Sequence, residues 1–364
     1  MNKTTRQAII VLGMHRSGTS ALAGALGMLG IRLPDSLMPP TTENPKGYFE
    51  SKQIFAIHER LLAAAGTSWS GIGNLPADWF DSAQTSAFVD ELVAAVRQDY
   101  GDAATFVVKD PRICRLMPLW RKVLAEVGAQ PRFAIPIRNP LEVARSLEKR
   151  DGFPLAHGRL LWLRHMLEAE RETRGSRRVF VHYHDLLSDP ARMAERIASQ
   201  LTGGILALNE GNERDISSLI DPELRHHIAE PEDLHLPDAF YPWLWEAYEA
   251  YAALVDRPTD EAPQLRLDRV RALFDPAAAS FAPLLAARET ALAARDTNIA
   301  VLDRTLAERD RELGGLRDAL AEREANVTAL QSTVSALRSS TSWRITAPFR
   351  WAKRMMGRLR YNAG

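Results

Sequence analysis

The feature that most constrains the fold lies near the N-terminus, where a short apolar run ends in a loop between two glycines and leads into an apolar helix. Residues 8–12 (AIIVL) have the composition of a strand that is buried on both faces. Gly13 and Gly18 bracket the loop and allow its backbone to approach a ligand closely. Such a strand–loop–helix directs free N–H groups and the positive end of the helix dipole at one point. It therefore predicts a site for an anion such as phosphate.

Three further β-branched runs follow along the chain, at residues 105–108, 133–137 and 178–182, with helical patterns between them. This alternation predicts an α/β fold, in which a parallel β-sheet is flanked by helices and the ligand lies at the carboxyl ends of the strands. An aromatic segment at residues 241–251 predicts a helix that packs on the same core.

The spacing of the two glycines matches the nucleotide P-loop, but Thr19 occupies the position of its lysine. That lysine neutralises the β and γ phosphates of a triphosphate, so its replacement argues against a nucleotide or sugar kinase, which remains the alternative interpretation. The charge has moved to Arg16, inside the loop. Further contacts to an anion are expected from His15, Ser17, Gly18, Thr19 and Ser20.

The segment HRSGTS at 15–20, followed by IPIRNPLEVARSL at 135–147, resembles the sulfotransferase superfamily over residues 5–200. The resemblance implies a P-loop NTPase-like sulfotransferase fold. It also implies transfer of a sulfuryl group from 3′-phosphoadenosine 5′-phosphosulfate (PAPS) to an acceptor hydroxyl, with no metal required. A non-catalytic coiled-coil tether that keeps a nucleotide-binding fold is the other interpretation left open.

The resemblance also implies how the donor is held. The loop at 15–20 corresponds to the 5′-phosphosulfate site, and Arg138 with Ser146, eight residues later, corresponds to the 3′-phosphate site. A guanidinium can hold a phosphate through two parallel hydrogen bonds. Tyr183 in VFVHYHDLLSDP corresponds to the adenine contact, although His184 stands where the family pattern has glutamate.

Sulfuryl transfer needs a base for the acceptor proton and cations for the oxygen on which charge develops. By resemblance to carbohydrate and tyrosyl-protein sulfotransferases, Glu50, which follows the turn at 44–47, is the expected base. His58 is the rival, because cytosolic relatives use a histidine. Lys109 ends a predicted strand in a KDP segment, and the resemblance implies that it and Arg16 steady the transition state. Acceptor specificity is expected in the loops at 66–80 and 150–160.

From Leu292 onwards an aliphatic residue recurs every seven positions, and a second row three residues later is interrupted by Arg295, Arg309 and Arg323. This repeat predicts a coiled coil, and hence a homo-oligomer, because such a seam must be buried against another helix. A long solvated single helix remains the alternative. The predicted organisation is a sulfotransferase domain at 1–255, a linker at 256–283, the coiled coil at 284–340 and a basic tail at 341–364.

The C-terminal tail is a separate basic element. Residues 338–364 contain seven Lys and Arg and no acid, which leaves 39 basic against 46 acidic residues, or −7, in the remainder. Its apolar residues recur every three to four positions, as in an amphipathic helix that contacts anionic lipid. A disordered tail or nonspecific contact with nucleic acid is the alternative. Similar tails accompany bacterial glycan-building enzymes, so the resemblance implies a carbohydrate or surface polysaccharide precursor as acceptor.

The cellular location follows from what the sequence contains. Cys114 is the single cysteine and cannot form an internal disulfide. The apolar stretch at 8–14 is too short for a secretory signal, and no uninterrupted apolar run is long enough to span a bilayer. We therefore expect a cytoplasmic protein, peripheral to the membrane through its tail, with no specific nucleic-acid partner.

Overall fold

A computed structural model describes residues 6–41, 44–204, 208–220 and 241–361, without the side chains of Tyr241 and residues 357–361. The predictions for residues 221–240 of the first domain and 362–364 of the tail therefore lie outside the described residues. The chain divides into two compact units, Met1–Ala287 and Arg288–Gly364.

The first unit is built on a parallel sheet. Its strands are β1 (Arg6–Val11), β2 (Thr105–Lys109), β3 (Ala129–Ile137) and β4 (Arg178–His182). They lie in the order β2-β1-β3-β4, and Val11 is opposite Lys109 on one side and Ala134 on the other. The four predicted strands and the α/β class with a parallel sheet are confirmed.

The helices of the first unit cover both faces of the sheet. Their bounds are α1 Thr19–Met28, α2 Lys52–Ala64, α3 Ala83–Tyr100, α4 Ile113–Glu126, α5 Pro140–Asp151, α6 Leu155–Thr173, α7 Tyr183–Ser188, α8 Pro190–Thr202, α9 Glu210–Leu219 and α10 Tyr241–Asp256. Ile9 and Val11 of β1 pack with α1, α8 and α9, whereas Ala8 and Ile10 pack on the opposite side with α4, α6 and α10. This alternation follows from the two-residue period of a strand.

Helix α10 is the predicted aromatic helix, and it packs on the core as expected. Leu244, Ala247 and Tyr251 are buried, and the Tyr251 ring lies edge-on to Trp162 with 5.8 Å between centroids.

Residues 256–283 differ from the linker that the sequence predicted. After a turn at 257–260, helix α11 (Glu261–Ser339) begins, and its Leu267, Val270 and Phe274 are buried in the core of the first unit. Asp268 and Asp275 of this helix form ion pairs with Arg174 at 2.8 Å and Arg164 at 2.7 Å. The apolar residues recur every three to four positions, so the segment is an amphipathic helix despite its prolines.

The second unit consists of the remainder of α11, followed by α12 (Thr341–Ile345) and α13 (Ala347–Tyr361). One 18-residue window of α11 has a mean hydropathy of 1.2 and is long and apolar enough to cross a membrane, with 17% of the window buried. No spanning segment was predicted from the sequence. A single window of this kind is weak evidence for a membrane span, because buried core helices share its length and composition.

Candidate active site

A cavity of about 460 Å³ opens at the carboxyl edge of the sheet. The chain segments that follow all four strands contribute to its wall, as expected for a ligand site in a parallel sheet. Ten of the predicted site residues line it: His15, Arg16, Gly18, Thr19, Ser20, Glu50, Lys109, Arg138, Ser146 and Tyr183. Ser17, although part of the same loop, is fully buried and does not line the cavity, and His58 also lies outside it.

The loop after β1 has the backbone of an anion cradle. Gly18 has φ 91°, and a Cβ atom there would lie 2.4 Å from the Tyr183 ring. Arg16 also has a left-handed conformation, with φ 68°. The buried Ser17 Oγ and His15 Nε2 have no hydrogen-bond partner among the described residues. Unpaired buried polar atoms are uncommon, and these two belong to the predicted anion loop.

The second predicted anion site, Arg138 with Ser146, is hydrogen-bonded directly to the loop that forms the first. We call the two sites the anion cradles. Arg138 follows β3, and its Nη1 donates to the Arg16 carbonyl oxygen at 2.8 Å. Arg16 Nε donates to Ser146 Oγ at 2.8 Å. Arg138 also pairs with Glu142 at 2.8 Å and lies 4.5 Å from the centroid of the Tyr183 ring. The two cradles therefore face one cavity.

Asn139 and Pro140 explain how α5 presents Ser146 to this cavity. Pro140 supplies a fixed φ at the first helical position, and the Asn139 side chain accepts a hydrogen bond from Leu141 N at 2.9 Å. The helix therefore begins two residues after Arg138, which places Ser146 two turns along it.

Glu50 and Lys109 form a buried ion pair in the cavity wall. The Lys109 ammonium also donates to Ser20 Oγ at 3.0 Å and to the Tyr48 carbonyl oxygen at 3.2 Å. Burial raises the pKa of the Glu50 carboxyl, while the charge of Lys109 opposes this rise. A carboxylate with a raised pKa, beside a lysine that contacts the anion loop, is suited to exchange a proton with a ligand.

His58 has no free ring nitrogen. Trp120 Nε1 donates to His58 Nε2 at 2.9 Å, and His58 Nδ1 lies 2.8 Å from Asp110 Oδ2. Since the indole N–H can only donate, Nε2 is the acceptor and Nδ1 carries the proton, so the ring is neutral and fully engaged.

Asp110 extends this contact towards Glu50. Although burial alone would raise the pKa of Asp110, the charge of Arg112 and the hydrogen bond from His58 hold that pKa well below its usual value. Arg112 Nη1 lies 3.0 Å from Asp110 and 4.0 Å from Glu50, and Arg112 Nε pairs with Glu59 at 2.6 Å. His58 and Asp110 thus support the wall behind Glu50 and Lys109.

Three basic side chains that also line the cavity were not predicted from the sequence: Lys46, Lys149 and Arg150. Lys149 and Arg150 follow Ser146 by three and four residues on α5, so helical spacing from Ser146 could have identified them. Lys46 Nζ donates to the Ser218 carbonyl oxygen at 2.9 Å. Among the described lining residues, six Lys and Arg face one carboxylate, Glu50, so the cavity favours an anionic ligand.

The two loops expected to set acceptor specificity meet beside the cavity. The Trp69 ring lies 4.6 Å from that of His15 and 5.6 Å from that of Phe153. Arg150 Cζ lies 5.5 Å from the Trp69 centroid. Burial and nearby cations lower the pKa of His15, so its ring is neutral. These contacts join the segments around 69 and 153 to two residues of the cavity wall.

No family model matches the sequence, and no curated protein matches it. Among solved structures, the chain is similar to the sulfotransferase domain from the Synechococcus PCC 7002 olefin synthase, with 19% identity and a TM-score of 0.38, covering 68% of this chain and 97% of that one. It is also similar to the sulfotransferase domain from the curacin biosynthetic pathway, with 15% identity and a TM-score of 0.35, covering 74% and 97%. These values are too low to place the chain in a family.

Proposed function

We propose that the protein is a sulfotransferase that moves a sulfuryl group from PAPS to an acceptor hydroxyl. The observation that carries this proposal is the union of two anion cradles, the loop at 15–20 and Arg138 with Ser146, in one cationic cavity. PAPS has two separate anionic groups on one nucleoside. An ATP-dependent kinase would need only the first cradle, and its lysine is replaced by Thr19.

The residues of the cavity fit this donor. The first-turn N–H groups of α1 suit the 5′-phosphosulfate, with Thr19 and Ser20, which line the cavity, as further donors. Arg138 and Ser146 suit the 3′-phosphate. The Tyr183 ring, which packs against Gly18 and Arg138, offers an apolar face to the adenine.

The proposed chemistry assigns a role to each catalytic residue. Glu50 accepts the proton of the acceptor hydroxyl as its oxygen bonds to sulfur, and the bond between sulfur and the 5′-phosphate oxygen breaks. Lys109 and Arg16 stabilise the negative charge that develops on that phosphate oxygen. We assign the base role to Glu50 rather than His58, because only Glu50 reaches the cavity. The reaction requires no metal.

The C-terminal tail is the basis for proposing both the acceptor and the cellular location. We propose a carbohydrate hydroxyl, on a surface polysaccharide precursor, as the acceptor. The enzyme would work in the cytoplasm, with the basic tail holding it at the inner face of the membrane, because residues 338–364 carry seven positive charges without an acid and are attracted to anionic lipid.

Titration calorimetry tests which nucleotide the protein binds as donor. The protein should bind 3′,5′-bisphosphoadenosine more tightly than ADP, and Arg138→Ala should abolish that preference because the bidentate contact to the 3′-phosphate is lost. Arg145→Ala, on the same helix but outside the cavity, is the matched control. Transfer of labelled sulfate from PAPS to candidate glycans then tests the reaction. Tighter binding of ADP, with magnesium-dependent consumption of ATP, would instead support a kinase.

A further inference from the structure

The longest helix presents an apolar seam that nothing in the described part of the chain covers. Twelve large aliphatic side chains of α11 between 292 and 337 are each 43–67% exposed, and eleven of them, all except Val301, make up the seam. They form two rows, which we call a and d. Row a is Leu292, Ile299, Leu306, Leu313, Leu320, Val327 and Val334, and the aliphatic members of row d are Leu302, Leu316, Leu330 and Leu337. A seam of this length requires another helix to bury it.

The seam also has an internal charge pattern. Row d alternates arginine with leucine at Arg295, Arg309 and Arg323, whereas every residue of row a is aliphatic. Arg309 is exposed and is paired with Glu312 on its own helix at 3.1 Å. The three arginines therefore lie in one row only, at intervals of fourteen residues.

This asymmetry discriminates between the two ways in which a second copy could pack. In a parallel in-register pair, row d faces row d, so three layers would place arginine against arginine. Like charges in contact oppose association. In an antiparallel pair the second helix runs in the opposite direction, so row a of one copy packs against row d of the other. Each arginine then faces an aliphatic residue.

We propose that α11 binds a second copy of this chain in antiparallel orientation along residues 292–337. In the register of full overlap, Leu292 lies opposite Leu337 of the second copy. Leu306 and Leu320 then lie opposite Arg323 and Arg309 of that copy. The aliphatic stem of each arginine covers the facing leucine or valine while its guanidinium reaches water. This surface is independent of the proposed sulfotransferase activity.

Disulfide cross-linking tests the orientation. Two single variants, Leu292→Cys and Leu337→Cys, are prepared with different tags and mixed under mild oxidation. Cys114 is fully buried and is therefore a poor cross-linking partner. Antiparallel packing brings positions 292 and 337 within disulfide range of each other, so the mixture should form heterologous dimers, whereas each variant alone should not cross-link. Val301→Cys, which is exposed but off the seam, is the control.

Charge reversal gives a second readout. Leu306→Glu places a carboxylate opposite Arg323 of the second copy in the antiparallel pair, so the dimer should persist. Leu313→Glu faces Leu316 of the second copy, so the dimer should be lost. Sedimentation equilibrium measures both against the 40.6 kDa chain. Homotypic cross-links at 292, or loss of the dimer with both variants, would overturn the orientation, and a monomeric wild type would overturn the association itself.

Discussion

Glu50 and Lys109 share one buried contact, and that contact determines what each side chain can do. The carboxylate is desolvated, which favours its protonated form, while the ammonium beside it favours the ionised form. Lys109 also contacts Ser20 of the anion loop, so the charge that Glu50 partly neutralises is the charge that reaches the ligand. Proton transfer to Glu50 would remove the negative charge that compensates the Lys109 ammonium, as negative charge develops on the donor.

Replacement of Glu50 by glutamine should lower kcat by about 10²–10⁴-fold with binding of 3′,5′-bisphosphoadenosine largely kept. Because burial raises the pKa of Glu50, and the base works only when ionised, wild-type kcat/KM should fall as the pH falls through a value above that of an ordinary glutamate. The Glu50→Gln variant should lose this decline of kcat/KM at low pH, which we call the acidic limb. Glu148→Gln, an exposed change on α5, is the control. A retained limb in Glu50→Gln would assign the base elsewhere.

His58→Phe should act on stability rather than on proton transfer. The change leaves the buried Trp120 N–H and one oxygen of Asp110 without their partner, which should lower the free energy of unfolding by about 1–3 kcal/mol for each group. Chemical denaturation measures this loss. The acidic limb of kcat/KM should stay in place, and its disappearance would mean that His58 is the base after all.

Single residues differ in how well the sequence predicted them, and the reason is physical. Arg138 and Ser146 belong to a recognisable spacing, and they line the cavity. Lys149 and Arg150 carry no motif, because a basic side chain at the end of a helix is common for electrostatic reasons alone. Their spacing places them near Ser146 on the surface of α5, and the direction of α5 relative to the sheet brings that surface into the cavity wall.

At the scale of elements, strands were predicted closely because four β-branched runs are buried on both faces of the sheet. The helix over residues 261–283 was not predicted, because the prolines and charges of this segment are typical of linkers. Pro263 lies in the first turn of α11, where a missing N–H costs little, and Leu267 and Phe274 supply the buried stripe. The packing partner, which the sequence does not show, decides between linker and helix.

The strand–loop–helix offers a test in which backbone strain and side-chain contact can be separated. Gly18→Ala should strain a left-handed backbone and push the Tyr183 ring, so we expect weaker binding of 3′,5′-bisphosphoadenosine. Gly30 has the same φ of 91° at the other end of α1, with nothing within 4 Å of an added Cβ. Gly30→Ala should therefore lower stability by about 1 kcal/mol without changing affinity. Calorimetry and denaturation measure the two effects, and equal affinities would show that the loop does not hold the ligand.

At the scale of the whole molecule, a formal net charge of zero conceals a strong separation of charge. The residues before 338 carry −7, residues 338–364 carry seven positive charges, and the cavity wall concentrates cations within an otherwise acidic unit. Fields of this kind guide an anionic ligand to the cavity and an anionic surface to the tail. Activity and attachment are therefore both expected to weaken as salt increases.

The tail should bind anionic membranes through charge and apolar contact together. Phe349, Trp351 and Met356 of α13 are exposed among basic residues. Each of those basic residues contributes about 1 kcal/mol of attraction near an anionic membrane surface. The full-length protein should sediment with phosphatidylglycerol vesicles at low salt, less at high salt, and little with phosphatidylcholine. Phe349→Glu should weaken this binding more than Val301→Glu, an equal charge change on α11, because it also removes the aromatic anchor. Equal sedimentation of the two variants, or equal binding to both lipids, would show that the tail has another role.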